Sequence, residues 1–283
     1  MTASLVLIFA SLGQLTIGEV KLEADGFQFT EGPVWLSSGG LAFSDIPSES
    51  IFMLDKRLLH KVLGGSNGLS LDPEGRLVRC EHGNRRIARV EKDGTVTTLA
   101  DAYQGKKLNS PNDAVMRSDG VLYFTDPTYG LGDRPKEVEF NGVYWRSVDG
   151  EMHVVAKDFN MPNGIAFSPD ENTLYVADTA ESHIRAFAVA KDGSASGGMV
   201  LCPVPTPDGI RVDLDGNIWS SSSEGIVVFD SKGSKLQTIA FPQVPANCGF
   251  GGPDGKTLYV TARTAVYSIK TNVAGLPRPV AKK

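Results

Sequence analysis

Apolar residues along the chain fall in runs of a few residues, often alternating with polar ones and punctuated by Gly, Asp, Asn and Pro. Hardly any stretch repeats at the 3.6-residue period of a helix, so the pattern predicts short β-strands joined by tight turns. The runs recur as six units. Each opens on a polar residue, usually followed by Gly: Glu31 (EGPVW), Asn67 (NGLSL), Asn112 (NDAVM), Asn163 (NGIAF), Asp208 (DGIRV) and Asn247 (NCGFG). A turn follows (SSGG, DPEG, RSDG, SPDEN, DLDG, GPDG), then a second strand beginning at Leu41, Leu77, Leu122, Leu174, Ile218 or Leu258. Two further strands are legible in several units, as in RIARV then TVTTLA, or GIVVF then LQTIAF.

Units of four strands, repeated at intervals of 36 to 51 residues, predict a six-bladed β-propeller, an all-β fold that leaves only short sheet edges. After the sixth opener only three strands remain, ending at Lys270, while one orphan strand, Glu19 to Asp25, precedes the first opener. Pairing of that orphan with the strand Thr264 to Lys270 would complete the last blade and close residues 14–283 into a single domain. Residues 1–13 stand apart. Ala3 to Leu12 is an apolar run of signal-peptide length, yet no Lys or Arg precedes Lys21. A periplasmic or secreted location follows if residues 1–13 belong to a signal peptide, and a cytoplasmic one otherwise.

Composition narrows the function. Twenty-eight Lys and Arg against 33 Asp and Glu give a net charge of −5, with no basic footprint for nucleic acid or an anionic membrane surface. No run reaches the ~20 apolar residues of a membrane-spanning helix. The three cysteines, Cys80, Cys202 and Cys248, lie far apart, which argues against a disulfide framework and against a structural zinc cluster.

The first strand of a propeller blade lines the central channel, so the six openers should form a ring of Glu, Asn, Asn, Asn, Asp, Asn at one mouth. Asp45, Glu81, Asp126 and Asp178, near the ends of four second strands, should form a second acidic ring at the same end. Polar groups crowded at the narrowest part of a fold need compensation. Carboxylate and amide oxygens suit a hard divalent cation, and a rigid ring of such donors suits Ca²⁺ better than the strict octahedron of Mg²⁺. Glu31 and Asp208 would neutralise the dication, with Asn112 and Asn163 adding oxygens. The competing reading makes the opener pairs simple turn formers, and for Asn67 and Asn247 the two readings stay open.

EGPVW at Glu31, LNSPND at Leu108 to Asp113, YFTDPTYG at Tyr123 to Gly130, MPNGIAFSPD at Met161 to Asp170 and PDGIRVD at Pro207 to Asp213 resemble the senescence-marker-protein/gluconolactonase/luciferin-regenerating-enzyme family, in its bacterial gluconolactonase-like branch. The resemblance runs from about Glu19 onward. It implies a metal-dependent hydrolase of lactones with Glu31, Asn163 and Asp208 as metal ligands, Asn112 as ligand or substrate contact, and an aspartate as base, Asp208 being the closest match. Calcium is the first expectation, with Mg²⁺, Mn²⁺ or Zn²⁺ as substitutes, and the partner is a small-molecule lactone or ester. Asp126 is the alternative base, and Glu81 and His82 are further candidate substrate contacts.

One departure stands out: where sugar-lactonase members carry a substrate-contacting Arg two residues before the third opener, this chain has Ser110, with Lys106 and Lys107 nearby. An organophosphate or ester hydrolase of the same fold, and a binding propeller without enzymatic activity, are the competing functions. Two motifs read as decoys. Gly64 to Gly68 matches GxSxG but joins two β units rather than a strand and a helix, and Asp213 to Asn217 starts like a calcium loop yet lacks the closing Glu. The longer connection Pro127 to Phe140 reads as a lid beside Asp126.

Overall fold

The computed structural model describes residues 14–280. It is an all-β, six-bladed propeller, each blade a four-stranded antiparallel sheet. The inner strands of blades 1 to 6 are Thr30–Trp35, Ser66–Leu71, Ala114–Met116, Pro162–Phe167, Ile210–Val212 and Asn247–Gly251. The second strands are Leu41–Asp45, Leu77–Glu81, Leu122–Asp126, Thr173–Asp178, Ile218–Ser222 and Thr257–Ala262. Thr16–Asp25 pairs antiparallel with Ala265–Thr271 as the fourth strand of blade 6, so the ring closes by joining the two ends of the chain. Residues 1–13, on which the two readings of location turn, lie outside the described residues.

The core is a ring of interfaces. One apolar cluster fills each gap between neighbouring blades: Ile51 and Leu69 meet between blades 1 and 2, Ile87 and Phe124 between 2 and 3, and Tyr123 and Ile165 between 3 and 4. Ile184 and Ile218 meet between blades 4 and 5, Val228 and Val260 between 5 and 6, and Phe43 and Tyr259 between 6 and 1. No blade buries its apolar faces alone, which is why the repeats must stack.

The hairpin turns use Asx geometry. Asp72 Oδ1 accepts from the amides of Glu74 (3.0 Å) and Arg76 (2.8 Å), and Asp213 Oδ1 accepts from those of Asp215 (3.0 Å) and Asn217 (2.9 Å). The segment from Asp213 is therefore a turn, as its missing Glu predicts. Cys80, Cys202 and Cys248 are all buried free thiols.

Candidate active site at the channel mouth

The glycine after an opener is explained by crowding rather than by turn formation. A Cβ on Gly32 would lie 2.4 Å from the Asn67 carbonyl oxygen of the next blade, one on Gly68 2.6 Å from the Asn112 oxygen, and one on Gly164 2.2 Å from the Asp208 oxygen. Inner strands approach each other there closely enough for direct backbone bonds, Gly68 N–H to Asn112 O (2.8 Å) and Gly164 N–H to Asp208 O (3.0 Å). In blades 1, 2 and 4 the pairing with the second strand shifts register at the opener, a bulge that frees the opener's side chain from the sheet. Asn112 and Asp208 sit just ahead of their strands.

Glu31, Asp208 and Asn163 converge at this mouth. Asn247 Nδ2 (2.9 Å) and the Gly32 amide (2.7 Å) both donate to Glu31 Oε2, leaving Oε1 without a donor among the described residues. Burial pushes Glu31 up to about 7. Burial also pushes Asp208 well above the usual carboxylate range, with Glu31 and Asp113 adding repulsion and the Asn163 amide pulling the other way. Asn163 Nδ2 donates to Thr179 Oγ1 (3.0 Å), while its Oδ1 is buried without a hydrogen-bond partner. Asn112, also buried, makes no side-chain hydrogen bond among the described residues.

These observations test the fit of a cation. Two desolvated carboxylates that repel one another, a free Oε1 and an orphaned amide oxygen form a hard-oxygen donor set short of positive charge, and a divalent cation fits it. Among the described residues no three His, Cys, Asp or Glu side chains gather as a metal cluster, because half of this donor set is amide.

The second acidic ring behaves differently from expectation. Asp126 Oδ2 and Oδ1 accept from the amides of Asn109 and Ser110, both at 2.7 Å; Asp45 takes those of Gln28 and Phe29, and Asp178 those of Asn160 and Met161. Each aspartate braces the segment leading into its blade's opener. Burial pushes Asp126 up to about 7, against the pull of its two amides. Glu81 is fully enclosed and bound by Arg79 (2.6 Å), Arg86 (2.8 Å) and Asn84 (2.6 Å), an internal ion-pair network rather than a substrate contact.

His82 does reach the opener ring, its Nε2 lying 2.8 Å from Asn67 Nδ2. Burial, with Arg134 adding to it, lowers His82 to about 4, so the ring is neutral near pH 7. Ser66 of the GxSxG decoy lies within an inner strand with its Oγ 2.9 Å from Ser44 Oγ. Lys106 and Lys107 form an exposed two-residue strand away from the opener ring.

Two residues at the mouth escaped the pattern reading. Tyr129, on the connection 127–140, lies close enough to Thr179, Asn163 and Asp208 to feel all three: burial raises its phenol most, Asp208 adds to that, and Thr179 and Asn163 pull the other way. Its position depends on Ser110, whose Oγ accepts from the Gly130 amide at 2.8 Å. The departure at Ser110 thus exchanges a cation for an anchor of the covering loop. Arg263 lies over the Phe29 ring at 5.4 Å, and its charge offsets a small part of the burial that raises Asp208. The signal for Tyr129 was its place in YFTDPTYG; for Arg263, in a surface turn, there was none.

The fold and the mouth together define a six-bladed propeller with one buried and one half-buried carboxylate beside amide oxygens at one end of its channel. The chain belongs to the SMP-30/gluconolactonase/LRE-like family, whose model matches residues 29–264. It is 32% identical to a gluconolactonase of Zymomonas mobilis over 90% of this chain and 82% of that protein. Among solved structures it resembles the gluconolactonase XC5397 of Xanthomonas campestris at 35% identity, with a TM-score of 0.83 and 89% of each chain covered. The calcium-binding protein regucalcin of Agrobacterium tumefaciens shares the fold, with a TM-score of 0.78, 21% identity, and 95% of this chain and 98% of that one covered.

Proposed function

We propose that the protein is a divalent-metal-dependent hydrolase of sugar lactones of the gluconolactone type. The observation that carries this reading is the convergence of Glu31, Asp208 and the orphaned Asn163 Oδ1 at one channel mouth, in a chain similar to named gluconolactonases. Glu31, Asn163 and Asp208 hold the cation, with Asn112 beside them, and calcium suits these oxygens best. The bound cation supplies Lewis acidity toward the lactone carbonyl.

The chain's own groups do the rest. Asp208 orients the attacking water and receives its proton, a role open to its carboxylate once the bound cation holds it ionised. Asn112, Asn67 and neutral His82 offer donors and acceptors to the substrate's hydroxyl groups, and Tyr129 narrows the opening above Asn163. Asp126 keeps the Asn109–Ser110 segment in place rather than acting on water.

A panel of lactones, esters and fluorophosphates assayed on metal-stripped and calcium-reloaded protein tests the class. Asp208→Asn should lower lactone turnover by about 10³-fold or more, because it removes both the candidate base and a ligand charge. Ser66→Ala should keep nearly full turnover. A well-folded Ser66→Ala protein without activity, beside an active Asp208→Asn, would overturn the metal-hydrolase reading in favour of a serine nucleophile.

A further inference from the structure

Three residues beyond each opener, the inner segments contribute another ring, one residue per blade: Val34, Ser70, Val115, Ala166, Arg211 and Phe250. All six line a cavity of about 410 Å³, which the far ends of the inner strands place at the opposite end of the channel from the mouth. The segment 276–280 crosses this end, with the Leu276 amide donating to Val212 O (3.1 Å) and Arg278 Nη1 to Pro73 O (2.8 Å). Between cavity and mouth lies a floor made by the Arg211–Asp113 pair and the Asn247–Glu31 bond.

The walls are mainly apolar, with Trp35, Leu71, Met116 and Phe167 below the ring, yet the ring carries two unsatisfied polar groups. Arg211 Nη1 donates to Asp113 Oδ2 (3.2 Å) and Ile210 O (2.7 Å), while Nε and Nη2 make no hydrogen bond among the described residues. Its side chain keeps 21% of its surface accessible although it sits inside the channel, so that surface faces the cavity. Ser70 Oγ, three blades away, is buried without a partner. The acid at the rim, Glu171, is already engaged by Ser118 through its amide (2.7 Å) and hydroxyl (2.6 Å). A volume within the ~300–1,000 Å³ range of small-ligand sites, apolar walls and one guanidinium edge with free donors describe a built pocket. Water would satisfy the donors but leave the apolar walls wet.

We propose that this lower cavity is a second small-molecule site, one that takes an apolar monocarboxylate. The Arg211 Nε/Nη2 edge receives the carboxylate in a two-bond fork, and the apolar body packs against Trp35, Met116 and Phe250. The site takes its ligand on the side of the Arg211–Asp113 pair that faces away from the mouth.

Isothermal titration calorimetry of the full chain with octanoate tests it, with octanamide as the uncharged counterpart. Octanoate should bind saturably at one per chain and octanamide at least ~10-fold more weakly, the cost of losing a charge-assisted fork. Val115→Phe, which fills the cavity from its wall, should remove binding, and Arg211→Lys should weaken it ~10-fold or more by replacing the planar fork with a point charge. Should Val115→Phe fail to fold, Ser70→Leu fills the same space from blade 2. Non-saturable uptake of octanoate, equal affinity for octanamide, or binding that survives the cavity-filling change would each overturn the proposal.

Discussion

At the scale of single residues, the site depends on positions where a side chain would be intolerable. Gly130 shows this most directly. Its φ lies outside the left-handed region, so its requirement is steric: a Cβ would stand 2.6 Å from His82 Cβ and Cγ and from Ser110 Oγ. Gly130→Ala must therefore shift the loop that carries Tyr129, at a cost of about 1–3 kcal/mol wherever the crowding is relieved. The expected outcome in steady-state lactone kinetics is a KM raised ~10-fold with kcat changed much less, because the covering loop moves while Glu31, Asn163 and Asp208 stay in place. An unchanged KM would show that Tyr129 does not close over substrate. The Asn-Gly and Asp-Gly pairs teach a related lesson: sequence marks the glycine, but only the structure says why it is there, the next blade's backbone standing 2.6 Å from a Cβ on Gly68 and 2.2 Å from one on Gly164, and the Asn247 side chain 2.0 Å from one on Gly209.

At the scale of elements, the repeat was legible because each blade needs the same turn chemistry and the same alternation of buried and exposed faces. The closing strand was legible by subtraction, since the last unit lacked one strand and the start of the chain had one to spare. Its pairing runs from Thr16 opposite Thr271 to Asp25 opposite Ala265, slightly longer than the expected Glu19 to Asp25. A chain beginning at residue 26 leaves Ala265–Thr271 as an open edge and removes Val20 from the apolar cluster of blade 6. It should aggregate or melt well below a chain beginning at residue 14, as differential scanning calorimetry would reveal. Equal melting temperatures would disprove closure by this strand. The second acidic ring was misread at this same scale. Four acids at matching positions suggested a shared chemical task, whereas three cap the amides of their own blade's incoming segment and Glu81 sits among arginines, a difference set by local backbone geometry.

At the scale of the whole molecule, the mouth couples pH to stability. Glu31 is raised from an ordinary value of 4.5 to about 7, so the metal-free native state keeps a proton that the unfolded chain releases in that window. The native state then binds more protons than the unfolded one, and this contribution to stability falls as pH rises from about 4.5 to 7. Asp126 acts in the same direction with or without metal, so the calcium-dependent part isolates the mouth. On the proposed reading calcium needs the ionised carboxylates and binds the native state, and a ligand doing so stabilises it by ~2.7 kcal/mol at a concentration 100 times its Kd. Thermal melts should therefore show a calcium-induced rise in Tm that is large at pH 8 and small at pH 5, in a single transition because the proposed ligands come from blades 1, 4 and 5. A rise of equal size at both pH values would place the ion elsewhere.

The sequence by itself determined the six-fold repeat, the closing strand and the ring of openers, because turn residues and strand periodicity are local properties that must recur wherever a blade recurs. It also marked Glu31, Asn163 and Asp208 through their shared place in the repeat. Only the tertiary structure decided which acids meet at the mouth and which brace their own blades. Likewise, it alone showed that Ser110 anchors the loop bearing Tyr129 and that Arg211 leaves donors facing an apolar cavity. Those outcomes depend on side chains from different blades arriving within a few ångströms of one another, a distance set by how the six sheets pack around the channel and by no single stretch of chain.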